Sequence, residues 1–393
     1  MSIQDILGVE PIVNAAGPVT RLSGAVMADE VVAAMAEAGQ ACYDIAELQA
    51  AAGRVIAEVT GAEAGYVTSG ASAGLLLGVA ACVTRLDPGA MNRLPDTSGL
   101  KNQVIMARSH RNFYDHAIRS VGIELVEVGI SDRYSGAGVR DTEAWEFASA
   151  INDKTAAIAY VANRNAWPAL SEVTAVAKEA GVPVIVDAAG QLPPASNLQR
   201  FIAEGADLVC FSGGKTIGGP QGSGILCGRA DLVSSAALQH LDQDVLFELW
   251  SPPPTLIDKS KLPGAPQHGI GRPCKVGKEQ IAGLVTALRR FVDADETERR
   301  SRWVTKVDAI AKGLSGIAGA HVEIADGGAI PSVHVKFDSI DGMTLTKRLN
   351  ANQPSVHVNA SRVHEDVLVL NPVCLREGDV EKLVQAFTAV VAG

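Results

Sequence analysis

The chain has 393 residues, of which 47% are apolar and only 4% aromatic, and its formal net charge is −10. This length allows a large core and two domains, while the acidic balance argues against nucleic acid or an anionic membrane as a partner. Six cysteines without zinc-ligand spacing, no signal peptide and no membrane-spanning run predict a cytoplasmic protein with reduced thiols and no metal site.

Residues 11–23 contain glycine and proline between apolar residues, which predicts an ordered arm rather than a helix. Asn14 and Arg21 are polar exceptions in this arm. Either they belong to a hydrogen-bonded loop or they face a substrate. A helix is predicted to begin at Asp29 and to continue past Gly39 towards residue 52.

The next stretch predicts an anion site. Residues 66–68 form a short β-prone run, and small residues then open a helix that extends to Arg85. Free amides and a favourable dipole at a helix N-terminus bind anions. A phosphate is therefore expected at Ser69, Gly70 and Ala71, although small residues also open ordinary helices.

Apolar and helical runs alternate through the middle of the chain. This alternation predicts an α/β fold with a mostly parallel sheet and helices on both faces. The predicted helices lie at about 112–121, 141–151 and 171–180, and the predicted strands are Val104–Ala107, Glu124–Val128, Ala156–Val161, Val184–Val186 and Leu208–Phe211.

Polar residues follow these strands, and the carboxyl ends of parallel strands gather at one sheet edge, where ligands bind. The residues expected there are His110, Asn163, Asp187, Gln191, Ser212 and Lys215. A carboxylate directly after an apolar strand, as at Asp187, indicates function. His110 either stacks on a flat ligand or caps the next helix, with Tyr114 and His116 as rivals.

Lys215 lies on a glycine-rich connection between two predicted buried strands, 208–211 and 224–227. An ammonium removed from water is costly or loses its proton, and a desolvated lysine is what Schiff-base chemistry requires. A solvated turn lysine is the plain alternative. A phosphate-binding P-loop is the other, but that motif requires a glycine where Val209 stands.

The last third of the chain predicts a smaller α/β domain. Arg272 lies between glycine and proline before a helix over 276–298, where it either clamps a carboxylate or phosphate or is an exposed loop charge. Further helices are predicted at 301–314 and 378–391, and short strands near 321–324, 332–337, 355–358 and 367–370. The expected domains are 1–55 (arm and helix), 56–270 (large domain) and 271–393 (small domain).

Several blocks together resemble fold-type I pyridoxal-phosphate enzymes of the selenocysteine synthase-like family, and within it the D-glucosaminate-6-phosphate ammonia-lyase group. The similarity runs from residue 13 to residue 372, and its most specific blocks are residues 44–49, 66–71, 114–118, 186–189, 212–221 and 271–277.

The resemblance implies a role for each matching position. Lys215 would form the Schiff base with pyridoxal 5'-phosphate and later act as the base at Cα, and Asp187 would pair with the pyridine nitrogen. His110 would stack on the ring. Ser69, Gly70, Ala71 and Ser212 would bind the phosphate, and Gly219–Gln221 would reach the cofactor of a neighbouring subunit in a homodimer or higher oligomer.

Two departures from the family bear on the substrate. Only about a dozen residues precede the matching arm, where selenocysteine synthase has a tRNA-binding region, so tRNA is not the expected partner. Asn371 occupies the position where relatives carry an arginine for the substrate carboxylate. The charge must then come from another arginine, and the candidates are Arg21, Arg272, Arg362 and Arg376.

The sequence therefore predicts a pyridoxal-phosphate-dependent lyase that eliminates the β-hydroxyl of a small amino acid, such as an amino sugar acid, to give a 2-keto acid and ammonia. A racemase or an aldolase with the same cofactor remains open. Other classes are a non-catalytic or tRNA-associated pyridoxal-phosphate binder and a nucleotide-binding oxidoreductase, for which residues 69–74 give only a loose echo of GxGxxG.

Overall fold

A computed structural model describes residues 3–130 and 141–392. Its strands are β1 (Val13–Ala15), β2 (Ala64–Thr68), β3 (Gln103–Ala107), β4 (Glu124–Val128), β5 (Thr155–Val161), β6 (Val184–Asp187), β7 (Leu208–Ser212), β8 (Gly224–Gly228), β9 (Ala320–Ala325), β10 (Ser332–Phe337), β11 (Val356–Val358) and β12 (Leu368–Leu370). Its helices are α1 (Ile3–Leu7), α2 (Asp29–Gly39), α3 (Ile45–Thr60), α4 (Ala71–Thr84), α5 (Pro88–Arg93), α6 (Asp115–Arg119), α7 (Ala144–Ala150), α8 (Leu170–Glu179), α9 (Asn197–Ala203), α10 (Ala230–His240), α11 (Lys278–Asp293), α12 (Glu296–Ser315), α13 (Gly342–Ala351) and α14 (Asp379–Ala392). Among these residues, no helix is both long and apolar enough to cross a membrane.

The chain forms two compact units, which do not coincide with the predicted domains. The larger unit is Met27–Arg290, and the smaller one combines Met1–Val26 with Phe291–Gly393. The N-terminal arm belongs to the smaller unit because β1 pairs in parallel with β11. Val13 N–H donates to the Ser355 carbonyl at 2.9 Å. The predicted breaks after residues 55 and 270 are therefore replaced by breaks after residues 26 and 290.

The larger unit is built on a seven-stranded sheet in the order β2-β8-β7-β6-β5-β3-β4. The neighbouring strands in the run β4-β3-β5-β6-β7 pair in parallel, whereas β8 is antiparallel to both of its neighbours. Its central strands are almost wholly buried, as their continuous apolar runs predict. The α/β class with a mostly parallel sheet is thereby confirmed.

Two helices predicted as continuous are interrupted, and an aspartate opens the following helix in each case. The helix predicted from Asp29 ends at Gly39, and α3 begins after Asp44, whose Oδ1 accepts the N–H of Ala46 at 2.8 Å. The helix predicted over 276–298 ends at Asp293. Asp295 then caps α12 by accepting a hydrogen bond from the Glu298 amide at 2.9 Å.

The smaller unit has its own apolar core. A three-stranded antiparallel sheet, β12-β10-β9, and the β1-β11 pair pack with α12, α13 and α14 around buried side chains such as Val335 and Phe387. The sequence predicts this α/β character but not helix α13. Asp341 begins that helix by accepting the Thr344 N–H at 2.8 Å.

Candidate functional site

Parallel strands of the larger unit end together at one edge of its sheet. Val161 at the end of β5 lies opposite Asp187 at the end of β6, and Asp187 lies opposite Cys210 in β7. The pairing continues past the strand ends, since Ala188 N–H donates to the Cys210 carbonyl at 2.9 Å. This edge is where ligands bind in open α/β sheets.

The predicted anion segment lies at the neighbouring strands. Thr68 of β2 and Ser212 of β7 both pair with Gly224 of β8, so all three share one register. A Cβ at Gly224 would come within 2.4 Å of the Gly70 carbonyl carbon, which shows how closely the two backbones approach. No described side chain caps the amides that open α4 at Ala71. This positive helix end therefore lies beside Ser212.

Asp187 is the carboxylate of this edge. The Ala189 N–H donates to its Oδ1 at 3.1 Å. Burial raises the pKa of the Asp187 carboxyl above its ordinary value, although the Ala189 hydrogen bond and the charge of Lys215 act in the opposite direction. A desolvated carboxylate of this kind gains most when a protonated partner is bound next to it.

The half-buried Lys215 lies in a tight loop between β7 and β8. Gly213 N–H donates to the Ser223 carbonyl and Gly219 N–H to the Gly213 carbonyl, both at 2.9 Å. Lys215 Nζ is 3.9 Å from the position of a Cβ built on Gly190, in the loop that follows Asp187. No described residue forms a hydrogen bond or ion pair with this ammonium. A partly desolvated amine without a protein partner is free to bond to a ligand.

These groups match the three polar parts of pyridoxal phosphate. Lys215 Nζ has no described partner, as an amine that binds an aldehyde requires, and Asp187 is a desolvated carboxylate suited to a protonated ring nitrogen. The uncapped amides at Gly70 and Ala71 suit a phosphate. All of these residues lie in the larger unit and along one sheet edge, so the site fits this cofactor.

His110 is buried at the same edge, in a short 3-10 turn that follows β3. Val161 N–H donates to its Nδ1 at 3.4 Å, and its ring is perpendicular to that of Tyr160 at 4.7 Å between centroids. Because Nδ1 accepts this hydrogen bond, the ring N–H is on Nε2. The two rival side chains, Tyr114 and His116, are exposed. His110 is therefore the buried aromatic group among these three.

Three further residues predicted to contact the cofactor are exposed or use backbone polar groups in hydrogen bonds within the protein. Asn163 is exposed, and its Oδ1 accepts the N–H of Asn165 at 2.8 Å to form a turn. The half-buried Gln191 follows Asp187, and its carbonyl accepts a hydrogen bond from Asn197. Gly219 uses its amide inside the Lys215 loop. Their roles toward a cofactor stay predictions.

The hydroxyl of Ser69 and the guanidinium of Arg272 both have protein partners. Ser69 Oγ donates to the Cys274 carbonyl at 2.8 Å, so only its backbone amide remains as a donor for an anion. Arg272 donates to the His240 carbonyl at 3.2 Å and to Asp242 Oδ2 at 2.9 Å. The Asp242 carboxylate therefore already neutralises part of the charge that Arg272 would offer to a substrate carboxylate.

The other predicted substrate residues belong to the smaller unit. Asn14 is buried, with Nδ2 donating to the Gly17 carbonyl at 3.1 Å and Oδ1 accepting the Ala16 N–H at 2.9 Å. Asn14 thus belongs to a hydrogen-bonded loop, and its role toward a substrate stays a prediction. Arg362 pairs with Glu365 at 2.6 Å. Arg21 lies in an exposed 3-10 turn, and Arg376 pairs with Asp379 at 3.2 Å.

Replacing Gly70 with alanine tests the backbone geometry of the anion segment. Gly70 has φ 91° and ψ 163°, a conformation that is essentially restricted to glycine, yet an added Cβ meets no atom within 4 Å. We expect Gly70→Ala to lower the free energy of unfolding by about 1–3 kcal/mol through strain alone. Gly222→Ala, at an exposed residue without positive φ or close atoms, is the matched control in urea unfolding. Equal stability of the two variants would contradict this geometry.

One hydrogen bond close to the anion segment cannot be predicted from the sequence. The buried Tyr66 hydroxyl lies 2.8 Å from His240 Nδ1, although the two residues are 174 positions apart. An apolar strand with one tyrosine and a helix ending in histidine are both common, so neither pattern identifies the other as a partner. Only the packing of α10 beside β2 brings them together.

The chain is similar to characterised proteins along most of its length. A family model described as L-seryl-tRNA selenium transferase (SelA) matches residues 12–245, more than half of the chain. A 5'-C-glycyluridine monooxygenase-decarboxylase from Streptomyces sp is 32% identical over 396 residues, which cover 96% of this chain and 89% of that protein. A D-glucosaminate-6-phosphate ammonia lyase from Salmonella typhimurium (strain 14028s / SGSC 2262) is 30% identical over 398 residues, covering 98% and 96%.

Comparison of the whole structure with solved structures also identifies an ammonia-lyase as a similar protein. A solved structure of D-glucosaminate-6-phosphate ammonia-lyase superposes with a TM-score of 0.83 and 28% identity, covering 100% of this chain and 98% of that one. Pyridoxal-phosphate enzymes of known structure share the fold at much lower identity, which concerns the fold alone. The predicted fold-type I architecture is confirmed by these matches.

Proposed function

The chain belongs to the L-seryl-tRNA selenium transferase (SelA) family, and we propose that it is a pyridoxal-phosphate-dependent ammonia-lyase acting on a small β-hydroxy amino acid of the amino sugar acid kind. The family membership confirms the resemblance seen in the sequence blocks. The observation that carries the proposal is that Asp187 and Lys215 both lie at one sheet edge, beside the open end of α4. The full-length similarity to an ammonia lyase supports the reaction type.

Each residue has a defined task in this proposal. Lys215 Nζ would hold the aldehyde carbon of the cofactor, Asp187 would keep the ring nitrogen protonated, and the amides at Gly70 and Ala71, with Ser212, would bind the phosphate. When bound, pyridoxal phosphate supplies a conjugated ring that takes up electron density from a bond breaking at the substrate Cα. Burial raises the pKa of Asp187, and a protonated ring nitrogen beside it would stabilise the charged form of this carboxylate.

Lys215 also handles the protons of the reaction. Lys215 Nζ would be the base that removes the substrate Cα proton, and the resulting ammonium would return a proton to the departing β-hydroxyl. The overall change is from amino acid to 2-keto acid and ammonia. Water is lost from the substrate and regained when the nitrogen is released.

The relative from Streptomyces supports a second reaction. It is named a monooxygenase-decarboxylase and is as similar to this chain as the ammonia lyase is. A reaction of that class would use Lys215 and Asp187 to hold the same cofactor but would consume O₂ and release CO₂. The products distinguish the two reactions.

We also propose a homodimer in the cytoplasm, with Lys215 joined to the cofactor. All six cysteines are free thiols, and three of the buried ones, Cys82, Cys210 and Cys227, lie in the core of the larger unit. Free thiols of this kind are typical of a reducing compartment.

The test begins with the visible spectrum of the purified protein titrated with pyridoxal phosphate. Hydroxylated amino acids, with D-glucosaminate 6-phosphate among them, are then assayed for ammonia, keto acid, O₂ uptake and CO₂. We expect a visible band and stoichiometric ammonia and keto acid. A protein that stays colourless contradicts the cofactor, and a coloured protein that consumes O₂ or only racemises its substrate contradicts the lyase.

A further inference from the structure

A buried chain of hydrogen bonds adjoins the anion segment and takes no part in the chemistry proposed above. Tyr66 Oη lies 2.8 Å from His240 Nδ1, and His240 Nε2 lies 2.9 Å from the Cys274 carbonyl oxygen. Ser69 Oγ donates to the same oxygen at 2.8 Å. Tyr66 and His240 are almost completely buried, so water does not compete for these bonds.

The acceptors in this series of hydrogen bonds determine which atoms are the donors. A carbonyl oxygen only accepts, so His240 Nε2 carries the proton and Nδ1 accepts from the Tyr66 hydroxyl. Burial lowers the pKa of His240, as does the charge of Arg272, and burial raises the pKa of Tyr66 far above its ordinary range. Both rings are therefore neutral. Both lone pairs of the Cys274 carbonyl are used, by one donor from His240 and one from Ser69.

These hydrogen bonds and the backbone from Tyr66 to Ser69 together form a closed ring at the turn between β2 and α4. Tyr66 and Ser69 are three residues apart, and both lead through side chains to the same carbonyl. Inside this ring, Thr68 Oγ1 donates to the Gly70 carbonyl at 2.8 Å. The Ser69 hydroxyl is turned to Cys274, so this turn offers its backbone amides to an anion.

The turn that carries the Cys274 carbonyl is itself held by hydrogen bonding and packing. Gly271 N–H donates to the Gln239 carbonyl at 3.1 Å, next to His240 at the end of α10. A Cβ on Gly271 would lie 2.5 Å from Leu77 Cδ2, so this turn packs directly against α4. The Cys274 carbonyl is therefore fixed to the same helix whose N-terminus forms the anion site.

We propose that Tyr66 and His240 are positioning residues for cofactor phosphate. They orient the Cys274 carbonyl, and through Ser69 they hold the β2–α4 turn in the shape that presents the Gly70 and Ala71 amides. This inference rests on the proposed function only in taking the anion to be the phosphate of pyridoxal phosphate.

Two substitutions at one residue separate positioning from packing. In His240→Gln the side-chain amide nitrogen reaches the place of Nε2 and can donate to Cys274, whereas the shorter side chain in His240→Asn cannot. We expect His240→Asn to bind pyridoxal phosphate roughly tenfold more weakly than the wild type. Its affinity for pyridoxal, which has no phosphate, should be unchanged. His240→Gln, which keeps the donor to Cys274 and loses only the acceptor for Tyr66, should restore most of the wild-type ratio. Tyr66→Phe, which keeps the ring, should show a smaller loss of the same kind.

Hydrogen exchange of the cofactor-free protein gives a readout independent of cofactor binding. Amides of residues 69–74 should exchange faster in His240→Asn than in the wild type and His240→Gln, with residues 332–349 unchanged in all three. If the wild type does not bind pyridoxal phosphate, the proposed function fails, and the exchange of residues 69–74 still decides the positioning. Wild-type exchange in His240→Asn, or equal weakening for pyridoxal and its phosphate, would overturn the proposal.

Discussion

The Lys215→Ala variant is expected to lose ammonia release by roughly 10²–10⁴-fold while unfolding at the same urea concentration as the wild type. The loss follows because Lys215 both holds the cofactor and moves the Cα proton in the proposed reaction. Stability should change little because no described residue forms a hydrogen bond or ion pair with its Nζ, so only the packing of a half-buried side chain and its charge near Asp187 are lost. Loss of activity without loss of stability distinguishes a catalytic lysine from a structural one.

Borohydride reduction provides the direct measurement for this variant. Reduction should fix the cofactor covalently to the wild type and to Lys101→Ala, an exposed lysine used as the control, but not to Lys215→Ala. A small primary amine added to Lys215→Ala should restore part of the activity by replacing the missing base. Covalent labelling of Lys215→Ala, or wild-type ammonia release by it, would mean that another residue carries the cofactor.

The sheet and the residues at its edge are predictable because both depend on local sequence. Strands such as β5 and β6 are continuous apolar runs, which buried parallel strands require. Asp187 and Lys215 stand directly after such runs, so placing the strands also places their side chains at the edge. Gly70 likewise has a positive φ, a backbone conformation that glycine tolerates and other residue types rarely adopt.

Partners that are distant in the sequence are not predictable in this way. The sequence leaves Arg272 as either a clamp or an exposed loop charge, and only the fold shows Asp242 at 2.9 Å from it. Only the fold likewise shows that the Ser69 hydroxyl donates to the Cys274 carbonyl. The break between Gly39 and Asp44 is also not evident from the sequence, because the residues around Gly39 continue a helical composition. In each case a contact or cap that depends on the fold overrides the local pattern.

The Asp187→Asn variant is expected to lower the rate of ammonia release by about 10²- to 10⁴-fold and to weaken cofactor binding. Removing one partner of a buried charge pair costs about 3–5 kcal/mol, because the remaining charge is left desolvated. Asparagine keeps the volume of the side chain and can still accept the Ala189 N–H, so the fold should be retained. Asp153→Asn, at an exposed aspartate, is the control and should match the wild type.

The same substitution has an opposite effect on the cofactor-free protein. Burial raises the pKa of Asp187 above 3.8, so the folded chain holds this proton more tightly than the unfolded chain does. The free energy of unfolding therefore falls as the pH rises from about 3.8 through the raised pKa. Asparagine does not titrate, so the stability of Asp187→Asn relative to the wild type should increase over this range. Bound pyridoxal phosphate should reverse that difference, because a protonated ring nitrogen stabilises the carboxylate. A difference between the two proteins that is independent of pH, with and without cofactor, would show that Asp187 is not the desolvated partner of the ring.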